Sequence, residues 1–301
     1  MIHRGRVRPL WISLVPALFF CLALQAQVKD RLFRVQVGGK FGYMNEQGKL
    51  IIPPDFKAAR KFRDGLAPVQ AGDKWGYIDT KGHLVIKPQY DDARIFSFGL
   101  ASVEVGEHWG YINRQGRVVI PTSFEVARTF MDPGDGTGPT ARVKTTGKWG
   151  MIDTQGRTIV NPMYDEMEGP LEEGVSPVKL NGLWGYIDRT NTYVIQPQFE
   201  FAEAFTSGVA AVEKDNHWGF IDHKGAWLVP CTFDGANELF EDRGPVKIGS
   251  KWGFVDKSGK LVIPAQFEEV QSFENGLAEV RNEVGLGYIN RNGEWIWKSA
   301  K

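Results

Sequence analysis

The chain has 301 residues, 42% hydrophobic and 24% charged, with 36 basic side chains balancing 36 acidic ones. This is ordinary globular material, which excludes a disordered chain and one embedded in a membrane along its length. The strongly basic footprint of nucleic-acid binding is missing, so no nucleic-acid partner is expected.

Residues 1–26 contain Arg4, Arg6 and Arg8 but no acid, and an apolar run over 10–24 leads into Gln25-Ala26-Gln27. A basic start, a short apolar stretch and a small-residue exit are the parts of a secretory signal, with Ala26 the last residue removed. The run contains Pro16 and falls short of the roughly twenty residues of a spanning helix, so no transmembrane segment is expected after signal removal. Export to the periplasm, the cell surface or the medium is the expectation. The mature chain, 27–301, then retains one cysteine, Cys231, and no internal disulfide can form.

The remainder is one motif repeated. Units centre on Phe41, Trp75, Trp109, Trp149, Trp184, Trp218, Trp252 and Leu286, each followed by glycine and spaced by 34, 34, 40, 35, 34, 34 and 34 residues. Such a period marks a repeat architecture, in which a unit too small to bury its own core leans on its neighbours. A valine stands six residues before each centre, as Val69 does before Trp75, within a short Gly-Leu-Ala-x-Val strand. A polar turn leads to a second strand, Trp75-Gly76-Tyr77-Ile78-Asp79. Next, Asp or Asn followed three residues later by Gly predicts a hairpin built on a type I turn; Asn191 is the one replacement for glycine and tolerates the same positive φ.

A third apolar run follows, such as Leu84-Val85-Ile86, and is expected to be buried on both faces and stopped by Pro88. Tyr90, Ala93 and Phe96 then suggest a helical turn or tight coil laid on the sheet, with Phe240 in the Phe96 position of the sixth unit. The fold expected is all-β: eight tandem three-stranded antiparallel meanders of about 34 residues packed in a curved open array. The chain starts on a first strand and ends on a third, which favours the open form over the alternative, a closed propeller-like ring. Nine residues, 131–139, include an insertion in the third unit and read as a surface loop. The glycine after each centre implies close packing on a bare backbone, with a neighbouring unit's aromatic as the expected occupant at Gly219.

The pattern Lys-Trp-Gly-Tyr-Ile-Asp, then Gly, then Val-Ile-x-Pro-x-Tyr-Asp-x-Ala-x-x-Phe, then Gly-Leu-Ala-x-Val resembles the bacterial WG-repeat (KWG) family from about Val35 to Trp297. The resemblance implies a repeat module, often exported or attached to other modules, in a family that mostly lacks an assigned activity. Departures are the lost Trp at positions 41 and 286, the insertion, and the shortened entry Arg243-Gly244-Pro245-Val246.

Catalytic signatures are missing: there is no Gly-x-Ser-x-Gly, no His-Glu-x-x-His and no phosphate-binding glycine loop. His83, His108, His217 and His223 are scattered, and the last two flank one strand, so no metal site and no cofactor are expected. Paired carboxylates (Asp91-Asp92, Glu172-Glu173, Glu268-Glu269) keep a glycoside or ester hydrolase as a second alternative. The expected function is that of an exported, non-enzymatic binding or scaffold module for a protein or a component of the cell envelope. Variation between copies concentrates in the turns before Trp, which makes Lys74, His108, Lys148, His217 and Lys251 candidate contact residues on one rim. The Trp-Gly tryptophans are expected in the core. Trp227, Trp295 and Trp297 lie outside that register, and through them cell-wall glycan binding is the first alternative.

Overall fold

The computed structural model describes residues 31–134, 136–169 and 171–299; the signal expected over 1–26 lies outside the described residues. Within the described residues the chain forms strands and no helix. Eight antiparallel sheets follow one another, the first of three strands and the other seven of four. The second is representative: a short inner strand Ala58–Ala59, an entry strand Leu66–Ala71, the Trp-Gly strand Lys74–Asp79 and an outer strand Leu84–Tyr90.

The three expected strands occur in all eight sheets, and the segment expected as a helical turn or coil supplies the fourth. Ala58–Ala59 pairs with the entry strand through Ala59↔Val69, so the residues after each outer strand already belong to the next sheet. Leu239, at 2% exposure, occupies the buried position expected for Phe240, which stands 38% exposed. Leu239 lies three residues after Ala236, the spacing of Phe96 from Ala93, and the chain turns outward one residue later.

The outer strand also departs from expectation. Ile86 is buried, while Leu84 and Val85 are 52% and 47% exposed, because this strand closes the sheet's edge and of these three residues only Ile86 enters the interface with the next sheet. Pro88 lies within the strand, at a bulge, where a residue without an N–H is tolerated. The register jumps from Trp75↔Tyr90 to Tyr77↔Ile86, leaving three outer residues opposite Gly76 alone. A Cβ on Gly76 would meet the Ile86 carbonyl oxygen at 2.5 Å and the Pro88 nitrogen at 2.7 Å. The occupant of the bare glycine is therefore the bulged backbone of its own sheet, and the expected aromatic from a neighbouring unit is not what fills it. On the opposite side Gly76 pairs with Val69, and the equivalent valine faces the equivalent glycine in every sheet, from Val35↔Gly42 to Val280↔Gly287.

The Asx turns hold as predicted. Asp79 Oδ1 accepts the amides of Lys81 and His83, both at 2.9 Å, and Gly82 adopts a φ of 86°; at the exceptional copy Asn191 takes 63°. These turns also join sheets. A Cβ on Gly82 would lie 3.3 Å from Ile52 of the preceding sheet, and Asn191 Oδ1 accepts from the Tyr164 hydroxyl at 2.7 Å. Around them runs the apolar interface. Tyr77 packs edge-on against Phe96 of the next sheet with ring centroids 4.8 Å apart, and its hydroxyl donates to the Arg94 carbonyl at 2.8 Å. Tyr43, Tyr111 and Tyr186 repeat that bond onto Arg60, Arg128 and Glu203.

Seven apolar clusters fill the seven interfaces between consecutive sheets, and among the described residues none joins the eighth sheet to the first. The outward aromatic and aliphatic residues at the two ends, Phe33 and Val37 at one and Ile296 and Trp297 at the other, stand 45–58% exposed. The array is open. The loop over 131–139 is tethered from the next sheet, where Arg189 Nη1 donates to Thr137 Oγ1 at 2.7 Å and to the Gly138 carbonyl at 3.1 Å.

Gly219→Val improves β propensity yet places its branched side chain 2.6 Å from the Val229 carbonyl oxygen and 2.8 Å from the Cys231 nitrogen. It should destabilise the protein by about 2 kcal/mol or more, in the range of core overpacking. Gly72, at φ 67° with open space around its α-carbon, serves as the control in the form Gly72→Asn, which keeps left-handed backbone accessible. Equal urea midpoints for Gly219→Val and the parent would show that the bulge does not need the glycine.

Candidate functional site

The residue after each inner strand occupies one repeated place in the fold. In order these residues are Arg60, Arg94, Arg128, Glu168, Glu203, Asn237 and Gln271. The Arg94 amide donates to the Ser102 carbonyl and its own carbonyl accepts the Tyr77 hydroxyl, so the backbone is held from both sides while the side chain is left to vary. The three arginines lie over the tryptophans of their own sheets, with Cζ 4.9 Å from Trp75, 4.7 Å from Trp109 and 5.6 Å from Trp149. Arg142, on the entry strand Thr140–Thr145, joins them from the fourth sheet.

The row changes sign along the array. Beyond Arg142, whose Nη1 is 3.6 Å from Glu168, the side chains are Glu168, Glu172, Glu203 and Glu238. Burial raises the carboxyl pKa of Glu203, and the charges of Glu238 and Glu168 raise it further. Burial likewise raises Glu172, with Glu238 and Glu173 adding to the shift and Arg142 opposing it. Glu172 belongs to the fifth sheet and Glu238 to the seventh, and the charge of Glu238 raises both Glu172 and Glu203. On the basic half, burial and then the neighbouring Arg128 and Arg60 lower the Arg94 guanidinium from its ordinary value. The row thus carries cations over the second to fourth sheets and anions over the fifth to seventh.

The candidate residues read from the turns lie elsewhere. Lys74, His108, Lys148, His217 and Lys251 each begin a Trp-Gly strand, on equivalent hairpins of separate sheets. Lys74 Nζ contacts Asp91 at 2.5 Å, Lys148 contacts Asp165 at 2.5 Å and Lys251 is 3.6 Å from Glu268; each acid stands where the chain crosses to the next sheet. Asp91 also accepts the Gly106 amide at 2.8 Å, tying one hairpin to the next. His108 and His217 are exposed.

Trp227 and Trp295 share a position, the first residue of an outer strand, and meet Phe199 and Phe267 of the preceding sheet edge-on at 6.0 Å. Trp297 is 54% exposed on the final edge, near Tyr288. No hydrogen bond, ion pair or ring contact joins any two of these eight candidates among the described residues. The Trp-Gly tryptophans lie inside: Trp75, Trp109 and Trp184 are buried and Trp149, Trp218 and Trp252 half-buried. The adjacent carboxylates diverge as well, Asp91 toward Lys74 and Asp92 toward Arg60. Among the described residues no group of His, Cys, Asp and Glu is arranged to hold a metal ion.

Comparison with known proteins agrees with this architecture. A family model described as WG containing repeat matches seven times in succession, over residues 41–75, 75–107, 109–149, 149–184, 184–217, 218–252 and 252–283. No curated protein matches the sequence. Among solved structures, a eukaryotic initiation factor superposes with a TM-score of 0.60 at 8% identity, over 89% of this chain and 85% of that one. Sqt1 from Saccharomyces cerevisiae reaches a TM-score of 0.42 at 12% identity, over 87% of each chain. Hsv2p from Kluyveromyces lactis reaches 0.41 at 9%, over 66% of this chain and 73% of that one. At these identities the likeness to the initiation factor is one of fold.

The acidic half of the row has a consequence for stability. A carboxyl whose folded pKa is raised favours folding while protonated, so its contribution falls as pH rises from the ordinary range, about 4.3, through the raised value. Glu203→Gln removes one such charge. The thermal midpoint at pH 7 should rise by about 1–3 °C, and the gain should vanish near pH 4. A lower midpoint at pH 7 would mean that Glu203 is held by attraction and does not suffer repulsion.

Proposed function

We propose that this chain, which belongs to the WG-containing repeat family, is an exported, non-catalytic binding or scaffold module for a protein or another component of the cell envelope. The observation that carries this reading is the charged row, Arg60, Arg94, Arg128 and Arg142 followed by Glu168, Glu172, Glu203 and Glu238. Opposite charges in sequence over several sheets form an extended, oriented surface, suited to steering and aligning a partner of complementary charge. Arrays of repeats supply such surfaces because each unit adds one position at fixed spacing. The rim is the other surface open to a partner. Its lysines at 74, 148 and 251 already engage junction acids, which favours the charged row for charge recognition.

Pull-down from an envelope extract with residues 27–301 tests both surfaces. The paired charge reversal Arg128→Glu with Glu203→Lys should abolish capture, and Lys74→Gln with Lys251→Gln should leave it within about two-fold, as expected for exposed ion pairs of small net worth. The opposite result would move the contact to the rim. Capture that survives both pairs of changes would remove the charge-based reading.

One observation favours glycan as the partner: Trp297 and Trp227 are 54% and 42% exposed, and broad aromatic faces stack on sugar rings. Cell-wall fragments should then quench tryptophan fluorescence in the parent and not in Trp297→Ala. Unchanged fluorescence across peptidoglycan and polysaccharide fragments would dispose of this second reading.

A further inference from the structure

Arg60 and Arg94 occupy equivalent places on consecutive sheets, yet only Arg60 has a direct counter-ion. Its Nη2 donates to both carboxylate oxygens of Asp92, at 2.8 and 3.1 Å, and Asp92 is the first residue of the next inner strand. For Arg94 the corresponding residue is Val126, which brings no charge. For Arg128 it is Glu166, whose Oε1 accepts from Lys179 Nζ at 2.9 Å. Arg142 adds a third guanidinium; its Nη1 donates to the Met167 carbonyl, and Glu168 is 3.6 Å away.

Arg94, Arg128 and Arg142, with Thr129, Met131 and Thr140, line a cavity of about 180 Å³. That is room for several waters at about 30 Å³ each, and so for a small polar group with part of its hydration. Arg94 Nε is buried there without a hydrogen-bond partner. A guanidinium keeps its proton throughout the physiological range, so a buried donor on it is satisfied by an acceptor and cannot be relieved by deprotonation. Three planar forks converging on one space match the oxygen geometry of carboxylate and phosphoryl groups.

We propose that the cavity between Arg94, Arg128 and Arg142 is an oxyanion site that takes a single carboxylate or phosphoryl group. In the binding reading above, on which the biological use of the site rests, that group is carried by the partner. The anion completes the pattern that Asp92 provides within the chain for Arg60. Arg94, through its buried Nε, and Arg142, the more buried guanidinium, fix the bound oxygens, while Arg128, exposed over Trp149, forms the entrance.

Calorimetric titration of residues 27–301 at constant ionic strength in chloride, with inorganic phosphate and glutarate as separate probes, tests the site. At least one probe should bind saturably with one-to-one stoichiometry, and Arg128→Gln should weaken it by about ten-fold or more, as loss of a charge-assisted fork predicts. Val126→Asp installs the missing carboxylate beside Arg94. It should raise the thermal midpoint and eliminate saturable binding.

Saturation by phosphate alone identifies a phosphoryl ligand, and saturation by glutarate alone identifies a carboxylate. No saturable binding of either probe, or equal affinity in Arg128→Gln, overturns the site. Probe binding that is lost in Arg128→Gln, in a protein that captures no envelope partner, would uphold the site while removing the partner reading. Capture without probe binding would do the reverse.

Discussion

A carbonyl oxygen and the peptide backbone beside a proline, lodged over a bare α-carbon, set the geometry of every sheet in which the outer strand carries its bulge. At Gly76 the bulged segment occupies the space of a Cβ, with the Ile86 oxygen 2.5 Å from where that atom would sit. The bulge inserts extra residues on the outer side, bends that strand and increases twist. Its two flanks point in useful directions: Ile86 turns into the interface with the next sheet, and Tyr90 returns to pair with Trp75. Pro88 also removes one donor from an edge that would otherwise offer an unbroken row of amides to another chain. Glycine, proline and the closing aromatic of each unit therefore serve one structural requirement.

From that geometry the interfaces follow. Each sheet offers Ile86-type and Tyr77-type side chains forward, and the next answers with its turn glycine and its Phe96-type ring. The tyrosine hydroxyl bond fixes the carbonyl of the residue after the inner strand, at Arg60, Arg94, Arg128 and Glu203. Where Met151, Phe220 or Phe254 replaces tyrosine, the side chain is still buried and the contact is carried by packing alone. Backbone placement is thus uncoupled from side-chain identity at that one position. A side chain can change from arginine to glutamate there without disturbing the sheets on either side.

The strands, their turns and the open array were legible in the sequence because periodic Val, Trp-Gly and Asx-x-x-Gly positions are set by local backbone needs, which repeat wherever the backbone repeats. Asn191 at φ 63° shows how direct that reading is. The fourth strand was not legible: two residues such as Ala58–Ala59 carry no alternation, and their pairing depends on a sheet that begins before its own centre. Three adjacent apolar residues in the outer strand gave a misleading signal, since Leu84 and Val85 cover an edge and do not enter a core. The turn candidates drew attention through their variability. Part of the charged row was visible in principle as the residue following each repeated Ala or its replacement Met167, where Arg, Arg, Arg, Glu, Glu succeed one another, but Arg142, Glu172 and Glu238 join it from other positions of the unit.

Repulsion among like charges would be expected to disfavour this row. Exposed charges separated by more than about 8 Å are largely screened at physiological ionic strength, but partly buried ones are screened much less. Burial raises the Glu203 carboxyl and lowers the Arg94 guanidinium, both away from their charged forms, so each half of the row sits in an unfavourable field of its own making. Arg142 links the halves, 3.6 Å from Glu168 and opposing the shift of Glu172, and relieves little of the repulsion. Interleaving the two signs at Arg60, Arg94, Arg128, Glu168 and Glu203 would remove part of the repulsion, and since the backbone there is placed independently of the side chain, the fold permits that arrangement. Segregated charge in a scaffold that permits alternation is better explained by what lies opposite the row than by the stability of the array itself.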